Sequence, residues 1–161
     1  MISGKDLVTP KLGILIKYNG SFNLDKLYKD AKAWFNKYKY DFTEKEYKEK
    51  QHPISGELQF EFNGERKVDD YAKFNITIKV LIIGLKKLDK NTYIGNFRVN
   101  LIAHIDLDYS EKWQYNPFKK FLFFIYNNYL IKNKIQNVYE DKLYEEVLDY
   151  ETLIKTELGL L

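Results

Sequence analysis

The sequence predicts an α+β fold: one domain over residues 1–161, a long-stranded antiparallel meander sheet packed on helices in the order β-α-β-β-β-β-α-α. Three observations carry this. From Tyr93 to Leu107 the apolar residues Tyr93, Phe97, Val99, Leu101, Ala103, Ile105 and Leu107 share one phase with Gly95, while Thr92, Asn96, Arg98, Asn100, His104 and Asp106 occupy the other. A strict period of two is the mark of a strand with one buried and one wet face, and this run far exceeds the usual strand of about 5–6 residues. The second observation is a series of such runs between Tyr40 and Leu107, joined by short polar turns, which is the pattern of a meander. The third is a change to helical spacing at Leu24–Tyr38 and again after Pro117.

Lys11 to Tyr18 predicts the first strand, with Leu12, Ile14, Ile16 and Tyr18 on one face and a turn at Asn19-Gly20-Ser21. Asn23 is placed to cap a helix, whose apolar positions Leu27, Tyr28, Ala31, Trp34, Phe35 and Tyr38 recur at helical spacing. Asp41 to Lys50 leaves strand and helix open, since Glu44, Lys45, Glu46, Lys48 and Glu49 could pair at i,i+4 on a helix. The alternation of the next segment favours reading Tyr40 to Lys50 as a charged strand hairpinned to Glu57–Phe62 through a turn at His52–Gly56. Its lysines and glutamates suit an edge that must not pair with other chains. Asn63-Gly64 is a strong hairpin signal leading into a strand over Arg66–Ile83, and the broken alternation at Leu81-Ile82-Ile83-Gly84 predicts a bulge or burial on both faces. Asn116-Pro117 predicts a helix start. Phe118, Phe121, Leu122, Ile125, Tyr129 and Leu130 then form a wide apolar stripe, broadened by Phe123, Phe124 and Tyr126. A last helix is expected over about Val138–Leu158, with Leu143, Val147, Tyr150, Ile154 and Leu158 near heptad spacing.

The composition removes several classes of function. The chain has no cysteine, so disulfides, thiol catalysis and thiolate zinc sites are excluded; a reducing, cytoplasmic setting is expected. No apolar run approaches the ~20 residues of a membrane span, and Met1–Asp6 lacks the apolar stretch of a signal peptide. A net charge of +3, with Arg66 and Arg98 the only arginines, disfavours a dedicated nucleic-acid reader, which relies on the planar guanidinium fork. Nucleotide-binding and nucleophile-elbow motifs are absent.

Lys67-Val68-Asp69-Asp70-Tyr71-Ala72-Lys73-Phe74, the aromatic helix Pro117–Ile131 and Tyr139-Glu140-Asp141-Lys142-Leu143-Tyr144 together resemble a set of small archaeal proteins. That family carries no assigned activity, so the resemblance implies an archaeal origin and transfers no functional residue.

The candidate chemistry is sparse. His104 and Asp106 share a strand face and have the form of a base with its orienting group, but no serine accompanies them, and a surface or internally satisfied role outweighs catalysis. His52 has no acid at metal-ligand spacing, and the acid-x-lysine triplets Glu46-Tyr47-Lys48 and Glu65-Arg66-Lys67 are commonplace in a chain with 30% charged residues. Trp113 and Tyr115 are expected to pin the loop after Leu107 to the sheet. No catalytic residue, metal or cofactor is assigned.

The leading expectation is therefore a non-enzymatic assembly or protein-binding chain that acts through its C-terminal helices. Lys112, Lys119, Lys120, Lys132 and Lys134 make one segment basic, while Glu140, Asp141, Glu145, Glu146, Asp149 and Glu151 make the next acidic. Phe123, Phe124, Tyr126, Lys119, Lys120, Glu145 and Glu146 are the candidate contact residues, for a second copy or another protein. Two alternatives stand beside it. One is a helix-grip-like carrier whose apolar cavity would be lined by Phe74, Ile76, Phe97, Val99, Leu101 and Phe121. The other is weak nucleic-acid binding through Lys45, Lys48 and Lys50 interleaved with Tyr40, Phe42 and Tyr47.

Overall fold

In the computed structural model, which describes residues 4–113 and 116–161 with Glu46 given by its backbone alone, six strands form one antiparallel sheet. They are β1 (Lys5–Leu7), β2 (Ile14–Asn23), β3 (Asp41–Gln51), β4 (Gly56–Lys67), β5 (Ala72–Lys87) and β6 (Thr92–Leu107). Strands β3 to β6 make the predicted meander. The far edge of β6 is shared end to end by β2, against Thr92–Leu101, and β1, against His104–Asp106. Helix α1 (Leu24–Lys37) follows β2. After β6 the chain is helical for most of its length: α2 (Pro117–Ile125), a π-helical turn Tyr126–Leu130, the short α3 (Lys132–Lys134), a second π-helical stretch Ile135–Glu140 and α4 (Asp141–Glu157).

The alternation places Phe74, Ile76, Ile78, Val80 and Ile82 of β5 beside Phe97, Val99, Leu101, Ala103 and Ile105 of β6 on one buried face. Helices α1 and α4 cover that face with Leu27, Ala31, Trp34, Phe35, Leu143, Val147, Tyr150 and Ile154, all buried. The predicted caps form: the Asn23 side chain accepts from the Lys26 amide at 2.9 Å, and Asn116 accepts from the Lys119 amide at 2.8 Å. The predicted break near Gly84 is a bulge between Ile83 and Lys86, with Gly84 at φ +69°, a conformation that favours glycine.

Four local expectations need correction. Asn63-Gly64 is not a turn: β4 runs through it to Lys67, and the chain reverses at Val68–Tyr71, where Asp69 accepts the Tyr71 and Ala72 amides at 2.9 Å. Glycine is required at position 64 for another reason. A Cβ there would stand 2.3 Å from Phe35 Cε1, so its absence lets α1 sit close on the sheet. Asn19-Gly20-Ser21 likewise pairs with Asn96-Gly95-Ile94 as part of β2, because β6 is long enough to hold it. Leu12 is 88% exposed in the turn before β2, and β1 is an additional strand. Trp113 stacks on Tyr126 (centroids 5.5 Å apart, planes 12° apart), so it pins the loop to the C-terminal helical segment rather than to the sheet; Tyr115 lies outside the described residues.

Candidate interaction surface

Three regions concentrate side chains that ordinary packing does not absorb: the outward side of α2, the uncovered sheet face, and a polar cluster beneath α4. The first exposes large apolar side chains most fully.

The outward side of α2 is the predicted apolar stripe. Asn116 and Pro117 start the helix, and the π-helical turn, which adds about one residue to a helical turn, keeps Tyr129 and Leu130 in phase with Phe118 and Phe121. Phe118 is 68% exposed, Phe121 56%, Tyr129 74% and Leu130 72%, with Leu122 and Ile125 half-buried between them. The opposite, narrower side makes the attachment. Phe123 and Tyr126 lie 6.4 and 5.7 Å from the Tyr71 ring. Buried Asn127 accepts from the Tyr71 hydroxyl at 2.6 Å and donates to the Phe123 carbonyl at 3.0 Å. Thus Phe123 and Tyr126 face the protein's own fold, and Phe124 is half-buried 6.5 Å from Tyr129. No residue of α2 is buried, although it is more apolar than α1 or α4. Lys119 is exposed along one edge of this stripe, Lys120 is exposed on the side that carries Phe123, and the segment from Lys112 to Tyr139 carries five lysines and no acid.

The candidate residues on α4 separate. Glu145 is exposed, but Glu146 is only 6% exposed and faces inward. Its Oε1 accepts from Arg66 Nη2 at 2.8 Å and its Oε2 from the Tyr40 hydroxyl at 2.6 Å. Arg66 Nη1 donates to the Tyr38 carbonyl at 2.6 Å, and the guanidinium lies 4.6 Å from the Tyr40 ring centroid. Burial, then the Glu146 carboxylate, pushes the Tyr40 hydroxyl far above its usual range. This cluster ties the connection between α1 and β3 to β4 and α4. The phase of Leu143, Val147 and Tyr150 carries the signal, since it puts position 146 at the inward edge of the helix.

The uncovered sheet face holds a trough of ≈ 440 Å³ that includes His104 and Asp106. Its floor is made of short side chains, Asn63, Asn75 and Thr77, and its walls of long ones such as Lys45, Glu61, Glu65 and Lys79. His104 Nε2 lies 3.5 Å from Asp106 Oδ1, beyond a good hydrogen bond. Burial, with Lys5 nearby, holds the imidazole below its usual value, so it is neutral near pH 7. The other groups satisfy each other. Asn75 donates to Asp106 at 2.9 Å, Thr77 to Asn63 at 2.6 Å, and Lys73 lies 3.3 and 3.6 Å from Glu65 and Asp106.

The remaining candidates are placed as follows. Phe74, Ile76, Phe97, Val99 and Leu101 pack in the core, while Phe121 is exposed and apart from them. The gap enclosed between sheet and helices, bounded by Tyr28, Phe60, Phe97 and Tyr150 among others, is ≈ 10 Å³, against the several hundred Å³ of ligand sites. Tyr40, just before β3, is buried, and on β3 Phe42 packs against Phe35 and Phe62, leaving Tyr47 as the exposed ring among the three. Among the described residues no helix is long and apolar enough to cross a membrane. Comparison with protein-family models, curated proteins and solved structures finds no match.

Proposed function

We propose that this chain is a non-enzymatic docking module that binds protein through the outward face of α2 and the turn that follows it. The observation that supports this is the stripe itself, Phe118, Phe121, Tyr129 and Leu130, standing in solvent on a helix attached by its other side. With about 200 Å² for each large side chain, these four leave roughly 500 Å² uncovered, the scale at which an exposed apolar patch marks an interaction site. At about 25 cal/mol per Å², covering it is worth on the order of 10 kcal/mol before the costs of association. Lys119 beside the stripe, in a segment with five lysines and no acid, favours a partner with an acidic rim.

The double variant Phe118→Glu/Phe121→Glu tests this reading at submicromolar concentration, where the face is open. The wild type is expected to bind an anionic apolar dye, and the variant to lose most of that signal. The variant's unfolding free energy should stay within about 0.5 kcal/mol of wild type, as at an exposed site. A loss of more than about 2 kcal/mol would mean that the face is buried in the protein's own fold, and an unchanged dye signal would mean that it is not the apolar surface; either overturns the proposal.

A further inference from the structure

We infer that the occupant of the α2 face is a second copy of this chain, with the outer side of α4 of each protomer lying against α2 of the other. This rests on the docking reading above and names its partner. The outer side of α4 carries more acid than base: Asp141, Lys142, Tyr144, Glu145, Leu148 and Thr152 are all exposed, with inward Leu143, Val147 and Tyr150 opposite them. It therefore offers apolar Tyr144 and Leu148 beside Asp141 and Glu145, where α2 offers its apolar stripe beside Lys119.

A contact of α2 with α2 of the other copy is disfavoured. In a two-fold arrangement the same patch meets itself, so the basic segment Lys112–Tyr139, which carries no acid, would face its own lysines. Like charges across an interface oppose association. A reciprocal arrangement, α2 on α4 twice, keeps the two-fold symmetry and pairs opposite charges at both contacts.

The area is also of the right size. Tyr144 and Leu148 are exposed on α4, and together with the α2 stripe they bring the uncovered apolar surface to about 700 Å² per protomer at about 200 Å² per full side chain. A standard stable interface buries about 800 Å² per partner.

Charge reversal tests the pairing by sedimentation velocity from 1 to 100 µM. One variant is Lys119→Glu/Lys120→Glu and the other Asp141→Lys/Glu145→Lys, all at exposed positions; the single changes Lys119→Glu and Glu145→Lys serve if either double variant fails to fold. The wild type is expected to dimerise in the micromolar range. Each variant alone should dimerise at least about tenfold more weakly, because both of its contacts set like charges together. Their equimolar mixture should dimerise as wild type does, because both contacts are again of opposite charge. If the Asp141→Lys/Glu145→Lys variant dimerises alone as tightly as wild type, α4 is not the partner surface and the inference falls. A wild type that stays monomeric at 100 µM also overturns it. The dye and stability measurements on Phe118→Glu/Phe121→Glu still decide the docking reading in either case.

Discussion

Replacing Glu146 with leucine removes the carboxylate that Arg66 and Tyr40 share beneath α4. Arg66 would keep its charge in a largely buried place, with the Tyr38 carbonyl as its remaining hydrogen-bond partner. Breaking a buried pair from one side costs about 3–5 kcal/mol, and the Tyr40 hydroxyl, itself buried, loses its acceptor at about 1–3 kcal/mol. The two losses overlap in one cluster, and Arg66 is not fully enclosed, so a total of about 3–4 kcal/mol is expected. That is a large share of the roughly 5–15 kcal/mol by which a domain is stable. Urea unfolding followed by circular dichroism measures it, with Glu145→Leu as the neighbouring control on the exposed side, expected to change stability by less than about 0.5 kcal/mol. The double variant Arg66→Met/Glu146→Leu should recover much of the loss, because it removes both charges. A cost below about 1 kcal/mol for Glu146→Leu, or equal costs at positions 145 and 146, would refute the inward placement.

Gly64→Ala should cost about 1–3 kcal/mol as an overpacked core does, since the new methyl meets the Phe35 ring at 2.3 and 2.5 Å; an unchanged melting temperature would refute the close approach of α1 to β4. Burial and the adjoining Asp6 carboxyl push Glu140 up to about 7. A carboxyl raised above its ordinary 4.5 holds its proton more tightly in the fold, so the fold should lose stability as pH climbs from about 4.5 to 7. Glu140→Gln should flatten that slope, and denaturant midpoints across the window that keep it would count against the Asp6–Glu140 contact. His104 behaves oppositely. Its imidazole, held below 6.5 by burial and then by Lys5, is favoured neutral in the fold, so stability should fall as pH drops below 6.5. A proton-NMR titration midpoint at or above 6.5 for His104 would show it to be solvated instead.

The sheet was legible where one face is dry and the other wet, as along β5 and β6, because alternation records that difference directly. The caps at Asn23 and Asn116 were legible because a short polar side chain before an apolar periodic run has few other uses. Asn63-Gly64 misled because glycine serves both tight turns and close packing, and its neighbour here is Phe35, 29 positions earlier on α1. Three-residue β1 shows no period at all, and Asn19-Gly20-Ser21 is held extended by the length of β6 opposite it. The stripe on α2 was visible, but periodicity states which side chains share a face and not what lies in front of it; the attachment goes instead through Phe123, Tyr126 and Asn127 to Tyr71. The Arg66–Glu146 pairing spans 80 positions and leaves no local pattern except the phase of Glu146 on α4.

Because the chain has no cysteine, Phe121→Cys introduces a single thiol on the surface proposed for docking, and Leu12→Cys provides one on a surface that is not. Each variant is labelled with a polarity-sensitive fluorophore at submicromolar concentration and titrated with unlabelled protein to 100 µM. The label at 121 is expected to shift to the blue and gain anisotropy as the second copy closes over it, while the label at 12 gains anisotropy without the spectral shift. An emission spectrum at 121 that stays unchanged throughout the titration, or a blue shift at 12 as large as that at 121, would contradict a second copy docking on the outward face of α2.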